Sequence, residues 1–246
     1  MKATLLNSRI VGVSCVIPKK SLCLYDEPEL YDGNQKKIKR VVESSGFLNR
    51  RVADPDVTTS DLCYKAALDL LANTDTKADD VDALIFVSYT GDYLMPATSY
   101  VLHNRLGLGE DCICMDIPQA CSGYEFALYQ ASMLVNSGCK NVLLCVGDTF
   151  SKFSDMFRNH TAPVFGDAGT ATLVTRDENA EPWYFTFNTD STGYDALICK
   201  NGGFRNPLTK DMFYEDGKPM YLAGMDGARV FDFTMKRVQD SVLKIL

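Results

Sequence analysis

Dense apolar runs alternate with helical periodicity along most of the chain. Residues 10–17 (IVGVSCVI), 82–88 (DALIFVS) and 141–146 (NVLLCV) are short and continuously apolar, and the first is ended by Pro18. Such runs are strands of a sheet covered on both faces. Between the first two, Thr58, Thr59, Ser60 and Asp61 form an N-cap cluster followed by Leu62, Ala66, Leu70 and Leu71 at helical spacing. This predicts a covering helix over about residues 60–72. A second short helix is expected to open at Pro96, run through Tyr100 and Val101 to Leu106, and close at Gly107. Residues 112–117 can supply a further strand. From Ser122, Tyr124, Ala127, Leu128, Ala131, Leu134 and Val135 follow the i, i+3, i+4 rule up to Gly138, which gives a third helix. Residues 170–175 and 183–188 are rich in β-branched and aromatic side chains and read as paired closing strands. The class is α/β.

Beyond this, residues 193–216 carry many Gly, Pro, Asn and Asp with little periodicity, and a helical stretch then runs from about Ala228 to Leu246. Its apolar positions Val230, Phe233, Val238, Val242 and Leu246 need a sheet to cover, and too little chain follows to make one. The ending reads as a second βα series just starting, with truncation as the expected explanation.

Composition narrows the function. The 246 residues are 46% apolar and 23% charged, the balance of a globular protein with a sizeable core. A formal charge of −7 argues against nucleic-acid binding, which needs clustered Lys and Arg. The one basic cluster, Lys36, Lys37, Lys39 and Arg40, reads as a solvated helix face, with a phosphate-bearing ligand as the alternative. No run of about 18 apolar residues and no secretory signal is visible, so the expectation is a cytoplasmic protein without a membrane span.

The nine cysteines are odd in number, scattered, and mostly inside apolar runs, as expected of reduced thiols. Cys112 and Cys114 are expected to point to opposite faces of a strand. With no C-x-x-C pair and no His-rich partner, no metal site is expected.

One cysteine stands apart. Cys121 lies in residues 116–124 (DIPQACSGY), between a strand and a helix, with small Ala120, Ser122 and Gly123 allowing a sharp turn and the approach of a substrate. A thiol reacts as thiolate, and the unpaired N–H groups and dipole of a helix N-terminus favour negative charge. The same turn can offer the Cys121 N–H to a developing oxyanion. Against this stands the ordinary reading of a cysteine as a small buried hydrophobe.

A longer ordered pattern surrounds it. Residues 10–14 with Pro18, 45–51 (SGFLNRR), 58–61 (TTSD), 80–86 (DVDALIF), 91–96 (GDYLMP) and 105–108 (RLGL) come first. They are followed by 116–124, 147–149 (GDT) with Ser151, 165–169 (FGDAG), and 225–227 (MDG) with Val230 and Phe231. In this order and spacing the chain resembles the ketoacyl-acyl-carrier-protein synthase III branch of the thiolase superfamily.

The resemblance implies a thiolase-like α/β fold: a mixed five-stranded sheet in a βαβαβαββ half, placed at residues 1–178, with an incomplete second half at 179–246. It implies acyl transfer through a thioester at Cys121, then decarboxylative Claisen condensation with a malonyl-type thioester in the complete enzyme. Transfer to an oxygen or nitrogen acceptor, or a non-catalytic partner subunit, are the alternatives. The family's catalytic His and Asn belong to its second half and have no match here, so the polypeptide is expected to be deficient in condensation. His103 reads as a helix-surface residue, and His160 does not match the catalytic position.

Arg40, Arg158 and Asn159 fall near positions that hold the phosphates of coenzyme A, although Arg40 and Ser44 stand where an aromatic residue and an arginine are usual. Tyr93 and Met95 lie in the loop that shapes the acyl pocket. Asp167 reads as a turn or cap residue rather than an acid catalyst. Acyl-CoA or acyl-carrier-protein thioesters are the implied substrates, with no further cofactor, and pairing through the sheet edge implies a homodimer.

Overall fold

The computed structural model describes residues 1–153, 161–215 and 217–245. In chain order the elements begin with β1 (Lys2–Leu5), β2 (Ser8–Val16), β3 (Ser21–Cys23), α1 (Gln35–Ser45), β4 (Asn49–Arg51) and α2 (Thr59–Asn73). Next come β5 (Ala83–Val87), α3 (Thr98–Leu106), β6 (Ile113–Ile117), α4 (Gly123–Asn136), β7 (Asn141–Asp148) and β8 (Ala168–Arg176). The remainder comprises β9 (Trp183–Thr186), β10 (Leu197–Cys199), β11 (Ala223–Met225), α5 (Gly227–Phe233) and α6 (Gln239–Ile245).

The main sheet has five strands in the order β2-β8-β7-β5-β6. β5 runs parallel to both β6 and β7, whereas β8 is antiparallel to β7 and β2, so the sheet is mixed as expected. Every residue of β5 is buried. Its alternating side chains serve two cores, as a strand's period of two requires. Leu84 and Phe86 pack with Ala66, Leu70, Leu102 and Leu106 of α2 and α3. Ala83, Ile85 and Val87 pack with Ala127, Ala131 and Val135 of α4 on the other face.

The helix starts have identifiable causes. Thr58 caps α2 in a full capping box: its hydroxyl accepts from the Asp61 N–H while Asp61 accepts from the Thr58 N–H. α3 begins at Thr98, not at Pro96, because its capping group is not local. The Asp116 carboxylate of β6 accepts the Thr98 and Ser99 N–H groups at 2.7 and 2.8 Å.

Three further expectations change. Residues 183–186 do form a strand, but β9 pairs with β1 in a separate two-stranded ribbon and not with the main sheet. β1 (KATL) is too short and polar to announce itself in the sequence. The C-terminal helix is divided, with a π-helical segment at Thr234–Val238 between α5 and α6. Cys112 and Cys114 do not face opposite ways: two positions apart on an extended chain, they fall on one face and pack on the core under α2 and α3.

Two glycines permit close approaches between the sheet and its covering helices. A Cβ on Gly169 of β8 would lie 2.5 Å from the Leu62 Cβ and 2.6 Å from the Cys63 nitrogen of α2. A Cβ on Gly123, the first residue of α4, would lie 2.5 Å from Cγ1 of Val87. Gly169→Ala therefore drives α2 off the sheet, with an expected loss of about 1–3 kcal/mol. Urea denaturation at neutral pH, compared with the parent chain, measures it.

Candidate active site

Strand β6 ends at Ile117, and a short turn delivers the chain to α4. The Gly123 N–H donates to the Ala120 carbonyl at 2.8 Å, which makes Cys121 and Ser122 the two central residues of the turn. Cys121 is exposed there, in contrast to the buried Cys63 and Cys145. Ser122 is the N-cap of α4 and makes no side-chain capping bond. The first turn of α4 thus keeps N–H groups without a side-chain acceptor, which leaves its positive end beside the thiol. Burial pushes the Cys63 thiol up to about 12 and raises that of Cys145 well above the ordinary range. These two are inert packing residues.

Beside the Cys121 turn lies an open depression of about 510 Å³, whose lining includes Val87, Gln119, Ala120, Tyr124, Asp148 and Thr172. Its wall is mostly apolar, with the Tyr124 hydroxyl 3.3 Å from that of Thr172. Asp148, at the end of β7, anchors the strand ends around it. One carboxylate oxygen accepts from the Ser88 hydroxyl at 2.9 Å, the Tyr89 N–H at 2.9 Å, and the Thr90 N–H and hydroxyl at 3.1 and 2.9 Å. Burial raises the Asp148 carboxyl above its ordinary range, and these hydrogen bonds offset only part of that cost. Thr90, Thr59 and Thr149 extend the network through hydroxyl contacts of 2.7 and 3.1 Å.

Asp167, 2% exposed, accepts the Ala53 and Ser151 N–H groups at 2.7 and 2.9 Å and also the Ser151 hydroxyl. It pins two loops together, consistent with its reading as a turn residue. The residues with assigned binding roles are placed less centrally. Arg40 is exposed on α1, and Tyr93 and Met95 stand 66% and 83% exposed in the loop before α3. None of the three lines the depression. Arg158, Asn159 and His160 lie outside the described residues. His103 is half-buried, and its Nε2 lies 3.0 Å from the Gly109 carbonyl. The GDT motif did not reveal the role of Asp148, because the three residues that donate to it follow β5 about 60 positions earlier.

A family model described as 3-oxoacyl-[acyl-carrier-protein (ACP)] synthase III matches residues 115–193, which include the Cys121 turn. A 3-oxoacyl-[acyl-carrier-protein] synthase 3 of Campylobacter jejuni is 32% identical, over 100% of this chain and 71% of the relative. The chain belongs to the 3-oxoacyl-[acyl-carrier-protein] synthase III family. A β-ketoacyl-[acyl-carrier-protein] synthase III of Rhodopirellula baltica is 33% identical over 97% of this chain and 72% of that one. Among solved structures, a 3-oxoacyl-(acyl-carrier protein) synthase of Burkholderia xenovorans superposes with a TM-score of 0.90 at 36% identity. That match covers 100% of this chain and 70% of that one. OleA of Xanthomonas campestris, at 17% identity and a TM-score of 0.81, shares the fold. Synthase III membership makes this chain an acyltransferase of the thioester-condensing type. Among the described residues, no helix is long and apolar enough to cross a membrane.

The raised carboxyl of Asp148 has a consequence for stability. A carboxyl whose pKa is higher folded than unfolded stabilises the fold below the ordinary carboxylate range. That contribution is lost as pH rises through the folded value. Asp148→Asn keeps an acceptor oxygen for the same donors and removes the buried charge. The stability difference between parent and variant should therefore shift in favour of Asp148→Asn across that window and be level above it, as read by urea denaturation at a series of pH values.

Proposed function

We propose that Cys121 is the nucleophile of this synthase III chain. Its thiolate attacks the carbonyl of an acyl thioester, the Cys121 N–H faces the oxyanion that forms, and the departing thiol of coenzyme A or a carrier protein takes the proton. Condensation, in which a malonyl-type thioester loses carbon dioxide and its enolate carbon displaces the cysteine, additionally requires the family's His and Asn, which have no match in these residues. The observation that carries this reading is the exposed Cys121 at the centre of the Ala120–Gly123 turn, between β6 and the uncapped start of α4.

Several supporting assignments belong to the same reading. Arg40, Arg158 and Asn159 meet the phosphates of the acyl donor as charged and polar donors, and Tyr93 and Met95 help to enclose the acyl chain. Residues 1–178 form the half that carries the nucleophile, and residues 179–246 open the second. Among the described residues β6 is a sheet edge with β5 as its only neighbour, and Leu94 and Met95 are 89% and 83% exposed. An edge of that kind is suited to pairing with a second copy, which gives a homodimer.

Incubation with an acyl-CoA followed by intact-mass and peptide analysis is expected to place one acyl group on Cys121. Cys121→Ala should lower acyl transfer by on the order of 10⁴-fold or more. Acylation of another exposed thiol, Cys15 or Cys199, with Cys121 unmodified, would sink the assignment.

A further inference from the structure

Two thiols and one imidazole that the condensing chemistry does not use converge on the other side of β6. His103 stands in the last turn of α3, Cys112 immediately precedes β6, and Cys114 lies within it. One ring nitrogen of His103 and the two Sγ atoms all lie within 4.8 Å of one another. All three residues are half-buried, which leaves the cluster within reach of an ion from solvent.

The geometry is close to that of a bound ion. Tetrahedral coordination at the usual zinc–sulfur and zinc–nitrogen lengths sets neighbouring ligand atoms about 3.5–3.8 Å apart. The present spacing closes to that by shifts of roughly 1 Å or less. The Gly109 carbonyl fixes the tautomer of the imidazole. A carbonyl only accepts, so the His103 Nε2 that meets the Gly109 oxygen at 3.0 Å carries the proton, and Nδ1 holds the lone pair. A ring fixed by a backbone carbonyl in this way is the usual support of a metal-bound histidine. The Cys112 N–H donates to the same Gly109 oxygen at 3.1 Å, which ties the loop of one ligand to the ring of another. The two thiols meet each other, and each also has a long contact to a backbone carbonyl, 3.7 Å from Cys112 Sγ to that of Ile113 and 3.9 Å from Cys114 Sγ to that of Cys112.

We propose that His103, Cys112 and Cys114 bind one divalent thiophilic cation of the zinc class, joining the C-terminal turn of α3 to β6. Two thiolates neutralise the double charge, so the half-buried site carries none, and a water completes the coordination. The thiol protons leave to solvent as the two metal–sulfur bonds form, with no change of oxidation state. The site is independent of the acyl-transfer reading, since Cys114 precedes Cys121 by seven positions and shares no ligand with it.

Cobalt(II) reports such a site directly. Metal-stripped protein titrated with cobalt chloride is expected to develop thiolate-to-cobalt charge-transfer absorption that saturates at one equivalent per chain. Zinc chloride should displace the cobalt and raise the melting temperature. The absorption should persist in Cys121→Ser, disappear in Cys112→Ser and Cys114→Ser, and weaken at least about tenfold in apparent affinity in His103→Gln. Circular dichroism checks that each variant is folded. Should a cysteine variant fail to fold, X-ray absorption of the cobalt-loaded parent decides the matter by the presence of two sulfur neighbours. An absent charge-transfer band, one lost only in Cys121→Ser, or a shell without sulfur would overturn the proposal.

Discussion

The burial of β5 on both faces is the constraint to which the rest of the fold refers. Five consecutive residues are at most 2% exposed, and their alternation sends Leu84 and Phe86 to one core and Ala83, Ile85 and Val87 to the other. A strand in that position cannot slip by one residue without exchanging its two cores. Its register therefore holds β6 and β7 in place, and those strands deliver Cys121 and Asp148 to the same end of the sheet. Gly123 lets α4 start against Val87 itself, so the nucleophile turn is set by contact with the most buried strand of the sheet.

Much of this was legible in the residues. The continuous apolar runs at 82–88 and 141–146 named two central strands covered on both faces, whereas the run at 10–17 is the edge strand β2, where Ile10, Val11 and Val13 are exposed. The helical repeats of α2 and α4 named the covers, and Thr58 with Asp61 marked a helix start that the structure reproduces as a capping box. Local chemistry also located the Cys121 turn, since small residues between a strand and a helix have few other uses.

What stayed hidden depends on partners far apart in the chain. Nothing near Pro96 reveals that α3 waits for the carboxylate of Asp116, 18 positions on, before its first N–H groups are satisfied. Asp148 draws its donors from Ser88, Tyr89 and Thr90, and the convergence of His103 with two cysteines joins a helix end to a strand. Cys112 and Cys114, two positions apart on extended backbone, share one face and pack on the same core. The ribbon of β1 with β9 joins strands about 180 positions apart, and its polar first strand carries no periodic signal of its own.

Asp116 also fixes how accurately two separate parts of the protein are aligned. It belongs to the strand that leads to Cys121, and its two oxygens grip the first two residues of α3, the helix that follows the exposed Tyr93–Met95 loop. By covalent path the loop and the cysteine are separated by more than 20 residues, along which small errors would accumulate. Through the carboxylate they share a common datum, as two machined parts do when both are dimensioned from one reference pin. Their relative position then varies with the play in one pair of hydrogen bonds.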